Sequence, residues 1–95
     1  MYRLKFTPDA LAEWKALDGS VKEPLRKLLK KRLENPLLPA NALRGTLSGY
    51  FKIKLRQQGY RLVYTVQNDA LVVLVVTINK RDKNLLYQQL QKLIG

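Results

Sequence analysis

The chain has 95 residues, 18 Lys and Arg against 7 Asp and Glu for a net charge of +11, and neither cysteine nor histidine. That length supports one core, so residues 1–95 are read as a single domain with an unfolding free energy on the order of 5–10 kcal/mol. Disulfides, thiolate metal sites and the usual imidazole acid–base are excluded, an intracellular setting is the simpler reading, and the charge points to a polyanionic partner.

Residues 2–6, "YRLKF", alternate apolar and basic as a short half-buried strand does. "TPDALAEWKAL" then carries a helix start, with Thr7 as N-cap, Pro8 at the first helical position and Asp9 in the first turn. Ala10, Trp14 and Leu17 share one face of that helix, which makes Trp14 a packing anchor. Asp18-Gly19 ends it, and Ser20 caps the next helix with Glu23 completing a capping box.

The second helix sets Val21, Leu25, Leu28, Leu29 and Leu33 on one stripe and Lys22, Arg26, Lys27, Lys30 and Lys31 on the other face. That basic face reads first as a solvated one, and Lys30 and Lys31 add long-range attraction to RNA. Asn35-Pro36 stops the helix, and a loop broken by Pro39 and two glycines runs to Gly49, where Arg44 reads equally as a phosphate contact or as part of the turn closed by Arg44-Gly45.

From residue 50 the period changes to two, giving strands at about 50–56, 60–67 and 70–78 joined by "QQG" and "QND". The apolar run "ALVVLVVTI" is too short to cross a bilayer and reads as a buried central strand, and the opening residues lack a signal peptide's apolar core. The tail returns to helical spacing through Leu86, Leu90 and Leu93. The order is βααβββα: an α+β domain in which an antiparallel sheet carries two N-terminal helices and a C-terminal helix.

In "FKIKLRQQGYRLVY" (residues 51–64), Phe51, Ile53 and Leu55 point one way and Lys52, Lys54 and Arg56 the other. A two- or four-residue connection pairs 56 with 61 and 54 with 63, gathering all four cations on one face. A three-residue connection instead puts Arg61 on the apolar face, where an unpaired charge is costly. A solvated face would mix signs, and this stretch holds no acid, so it reads as an anion site. A second basic group, "NKRDKNLLY", follows the apolar strand with Lys80, Arg81, Lys83 and Tyr87.

No glycine-rich phosphate loop, carboxylate pair or Ser/His/Asp set is present. A basic cleft is nevertheless compatible with RNA cleavage. Crowded cations favour proton loss from a lysine, arginines clamp a phosphate, and RNA brings its own 2′-hydroxyl nucleophile.

The run "LRG…YFKIKLRQQGYRLVYTV", an apolar strand, then "NKRDKNLLY", together with "DALAEWKAL", resembles the RelE branch of the RelE/ParE toxin superfamily over nearly the whole chain. The resemblance implies a cytoplasmic bacterial toxin that cuts mRNA in the A site of the 70S ribosome, leaving a 2′,3′-cyclic phosphate. It implies paired-lysine roles for Lys52 and Lys54, with Lys54 the general base, a phosphate clamp at Arg61, and leaving-group assistance from Arg81. Tyr87 would stack on or orient the RNA. Arg44, Arg56, Lys80, Lys83, Lys30 and Lys31 would hold RNA backbone. It implies no cofactor and no metal, a RelB-like antitoxin that wraps the toxin and displaces or neutralises its last helix, operator DNA reached through the antitoxin complex, and no membrane. Two rivals share parts of this pattern: a ParE-like inhibitor of DNA gyrase, and a non-catalytic RNA- or ribosome-binding module, against which no aromatic flanks Lys52 and Lys54 on their face.

Overall fold

The computed structural model describes residues 1–80. Strand β1 (Arg3–Phe6) leads into helices α1 (Pro8–Ala16) and α2 (Gly19–Arg32), and strands β2 (Tyr50–Leu55), β3 (Tyr60–Gln67) and β4 (Val72–Lys80) follow. The expected C-terminal helix falls outside the described residues.

The cap residues set the helix starts. The Thr7 hydroxyl oxygen accepts from the Ala10 N–H at 3.2 Å, with Pro8 opening α1. The start of α2 corrects the expectation of a serine cap. Asp18 is the N-cap and accepts from the Ser20 N–H at 3.2 Å, while the Ser20 hydroxyl donates to the same carboxylate. A carboxylate at the positive end of a helix outcompetes a hydroxyl for this place. Glu23 pairs with Arg26 instead of reaching back.

The sheet order is β1-β4-β3-β2. The β2–β3 and β3–β4 pairs are antiparallel, but β1 runs parallel to β4, with Arg3 beside Val72 and Phe6 beside Val75. The sheet is therefore mixed, which corrects the antiparallel expectation. A parallel pair needs only a crossover of about a dozen residues, and far more chain separates β1 from β4, so no local signal fixed the direction. β4 lies between β1 and β3, which is the central place its β-branched run predicts.

Both helices cover one sheet face. Leu25, Leu29, Ile53, Leu62, Tyr64, Val73 and Val75 form the centre of that core, each almost fully buried. Burying such a side chain contributes roughly 1.5–3 kcal/mol. Trp14 packs at its border against Phe6, ring centroids 5.5 Å apart, under the cations of Lys22 and Arg26. Leu28 alone of the expected stripe is exposed.

A second, smaller cluster lies on the other face, where the loop before β2 folds back to bury Leu47 against Val63 and Val76, flanked by Leu43, Tyr50 and Leu74; Tyr50 thus stands two residues from Lys52 on the face where no aromatic was expected. The glycines of that loop make the return possible: Gly45 and Gly49 adopt φ of 67° and 94°, which side chains disfavour. The cations gather at the other end of this face.

Candidate active site

The β2–β3 register places Lys54 directly opposite Arg61, and the β3–β4 register places Arg61 opposite Asn79. One row along, Lys52 faces Val63 and Val63 faces Thr77. Opposed residues of an antiparallel pair share a face, with Cβ atoms about 4.5–5.5 Å apart. Lys52, Lys54, Arg61 and Asn79 therefore form one continuous basic and polar surface above the wall made by Val63 and Leu47.

This register differs from the expected one by two residues. Leu55 pairs with Tyr60, so residues 56–59 make the turn and Arg56 sits exposed in it. Gly59, at φ 72°, closes the turn by donating its N–H to the Leu55 carbonyl at 2.9 Å. A shift of two leaves every side chain on its face, so the convergence of Lys54 with Arg61 survives while Arg56 drops out of the ladder.

Arg61 is the most unusual group here. It is only 9% exposed, and its Nε finds no hydrogen-bond partner. Among the described residues, no ion pair reaches it. Like charges directly opposed across a ladder are destabilising, and a buried unpaired donor costs about 1–3 kcal/mol. An anion bound beside Lys54 and Arg61 would satisfy that donor, and the apolar wall lowers the local dielectric and strengthens the attraction.

One acid approaches from the helix side. Glu13 on α1 accepts from the Ile78 N–H at 3.1 Å, along the stretch of β4 that β1 leaves uncovered. Burial raises its pKa, opposed by that bond and by bonds from Thr77 and Asn79, with the charge of Asp9 adding to the rise. Asn79 also donates to the Thr77 hydroxyl at 2.7 Å, so a polar relay links Glu13 to the row containing Arg61. Sequence reasoning missed Asn79 and Glu13. The alternation Thr77, Ile78, Asn79 could have placed Asn79 on the cation face, whereas the Glu13–Ile78 contact spans 65 positions and carries no local signal.

The remaining candidates are dispersed. Lys80 is exposed and pairs with Tyr60, so it belongs to the opposite face from Arg61. Lys30 and Lys31 are exposed on α2, across the sheet from the Lys54–Arg61 row. Arg44 is exposed near the start of β2, four residues back along the strand from the Lys54 end. Arg81, Lys83 and Tyr87 lie outside the described residues. Among the described residues, no group of three carboxylates gathers as metal ligands would, and no helix is long and apolar enough to cross a membrane.

Residues 4–85 match the family model described as the ParE toxin of the type II toxin–antitoxin system parDE. The chain is 44% identical over 93 residues to the mRNA interferase toxin RelE of Escherichia coli, covering 98% of this chain and 97% of the relative. The isolated E. coli RelE toxin has a TM-score of 0.82 to it at 42% identity, with full coverage of both chains. A chain of the intact E. coli RelBE toxin–antitoxin complex gives 0.81 at 45% identity, over 86% of this chain and 99% of that one. The basic sheet face and these likenesses agree, and the chain belongs to the RelE/ParE family of toxins from type II toxin–antitoxin systems, on its RelE side.

Proposed function

We propose that the protein is a ribosome-dependent endoribonuclease that halts translation by cutting mRNA in the ribosomal A site. The observation that carries this reading is the Lys54–Arg61 cross-strand pair, an anion site on a chain 44% identical to an mRNA interferase. Lys54 takes the proton of the substrate 2′-hydroxyl, with Lys52 beside it, and the freed oxygen attacks the adjacent phosphorus. Arg61 holds the phosphate oxygens and stabilises the charge that builds on them. The bond to the 5′-oxygen breaks, that oxygen gains a proton, and a 2′,3′-cyclic phosphate remains. Arg81, immediately after β4, assists the departing oxygen, and Tyr87 orients the RNA. Arg44, Arg56, Lys80, Lys83, Lys30 and Lys31 attract backbone phosphates at longer range. No residue role in this scheme requires a metal or cofactor.

A RelB-like antitoxin neutralises the toxin in the cytoplasm, and the complex reaches operator DNA through the antitoxin. A gyrase-inhibitor reading draws support from the ParE description of the family model, but the identity to RelE favours ribonuclease. Induction in a bacterial host separates them. Growth should arrest with translation failing and DNA supercoiling intact, and Lys54→Ala or Arg81→Ala should relieve the arrest without unfolding the protein. Full toxicity of both variants, with supercoiling lost and translation intact, would install the gyrase reading instead.

A further inference from the structure

Among the described residues, backbone covers the outer edge of β2 only at its beginning, where the Leu43 N–H donates to the Tyr50 carbonyl at 2.8 Å and Ala42 bridges Phe51. Residues two apart turn their backbone groups toward the same edge, so the next outward carbonyl is that of Lys52. It accepts from Arg32 Nη1 at 3.1 Å, and the same nitrogen donates to the Tyr64 hydroxyl at 3.0 Å. A guanidinium nitrogen carries two hydrogens, so both bonds form together. The Tyr64 hydroxyl donates onward to the Pro36 carbonyl at 2.7 Å, and its fully buried ring stacks on Phe51.

Arg32 is the last residue of α2. It thus ties the helix end to the backbone of the residue whose side chain stands on the opposite, basic face. The mechanical situation explains why such a tie matters. β2 is an edge strand of the described sheet held by β3 on one side, so any slip or tilt of β2 changes how Lys54 sits against Arg61. A hydrogen bond to the Lys52 carbonyl from the open edge restrains that movement.

We propose that Arg32 is a positioning residue for the reaction: its clamp on the Lys52 carbonyl fixes the pitch of β2 and so holds Lys54 in register against Arg61. The inference rests on the ribonuclease reading for its catalytic consequence, but not for the clamp itself. Losing the clamp displaces the base without touching the chemistry or the exposed binding charges. A misplacement of this kind costs on the order of ten- to a hundredfold in rate.

Two measurements on the full chain test it. Backbone amide exchange of Ile53 and Leu55, whose N–H groups face β3, should quicken in Arg32→Ala by about tenfold relative to the parent, with the β4 amides unchanged. Single-turnover cleavage of ribosome-bound message at saturating ribosome should slow by about tenfold or more, at an unchanged half-saturating concentration. Tyr64→Phe, which keeps the bond to Lys52, should lower the melting temperature yet cleave at the parental rate. Unchanged exchange in Arg32→Ala overturns the clamp whatever the activity. Faster exchange with an unchanged rate, or an equal rate loss in Tyr64→Phe, overturns the positioning role. A parent protein that cuts no message under these conditions defeats the ribonuclease reading, and the positioning role with it, while the exchange result still decides the clamp.

Discussion

Lys54 and Arg61 stand opposite one another across the β2–β3 ladder, two cations in register, the second of them 9% exposed. The Arg61 Nε is a buried donor with no hydrogen-bond partner, a cost in the free protein that a bound anion would offset. The site is therefore a place where fold and function pull in opposite directions.

Arg61→Met should expose that opposition. The substitution removes an unpaired buried donor and a like-charge contact while keeping the stem's volume. Stability should rise by about 1–2 kcal/mol, in line with gains seen when buried charges yield to apolar groups. For a domain of this size that is a melting shift of roughly 4–8 °C per kcal/mol, upward. Cleavage should be lost in the same variant. A lower melting temperature would show that Arg61 is satisfied in the free protein.

Lys54→Arg keeps the positive charge but supplies a group that does not give up its proton. If Lys54 is the base, the bound-complex cleavage rate should fall by about 10²-fold or more, with ribosome affinity little changed. Equal losses in rate and affinity would assign Lys54 to binding alone.

The register that unites these residues was legible in part. Alternation in "FKIKLRQQGYRLVY" set the faces correctly, because parity survives any even shift in pairing. Which residues lie opposite depended on the turn, and a four-residue turn from 56 to 59 can be told from a two-residue one only by its hydrogen bonds. Thr7, Pro8 and Asp9 announced α1 because caps are local chemistry. The direction of β1, the fold-back of Leu47 onto Val63, and the Arg32–Lys52 contact join residues far apart in the chain, and no period or cap encodes them.

Glu13 gives a pH prediction with a definite sign. Its pKa lies above its ordinary value of 4.5, chiefly through burial. Between its unfolded and folded values the folded protein binds more protons, so this carboxyl lowers stability as pH rises through that window and keeps it lower above. Glu13→Gln retains an acceptor for the Ile78 N–H and never ionises. Denaturant melts should show the variant gaining on the parent as pH climbs from 4.5 toward neutrality. A difference independent of pH would mean that the carboxylate is no more costly folded than unfolded.

Lys30 and Lys31 lie across the sheet from the proposed site and should act only through charge. Replacing both with Gln should weaken ribosome binding and reduce the slope of log affinity against log salt by about one per lost phosphate contact. The cleavage rate of the bound complex should not move. A fall in that rate would bring α2 into the reaction.

The central claim is that the Lys54–Arg61 face cuts RNA held by the ribosome, and primer extension on one defined message tests it most directly. With parent protein and translating ribosomes, new ends should appear within the codon occupying the A site. They should be absent without ribosomes and absent with Lys54→Ala. Cleavage of naked message at the same positions, or intact message throughout while growth still stops, would contradict the account.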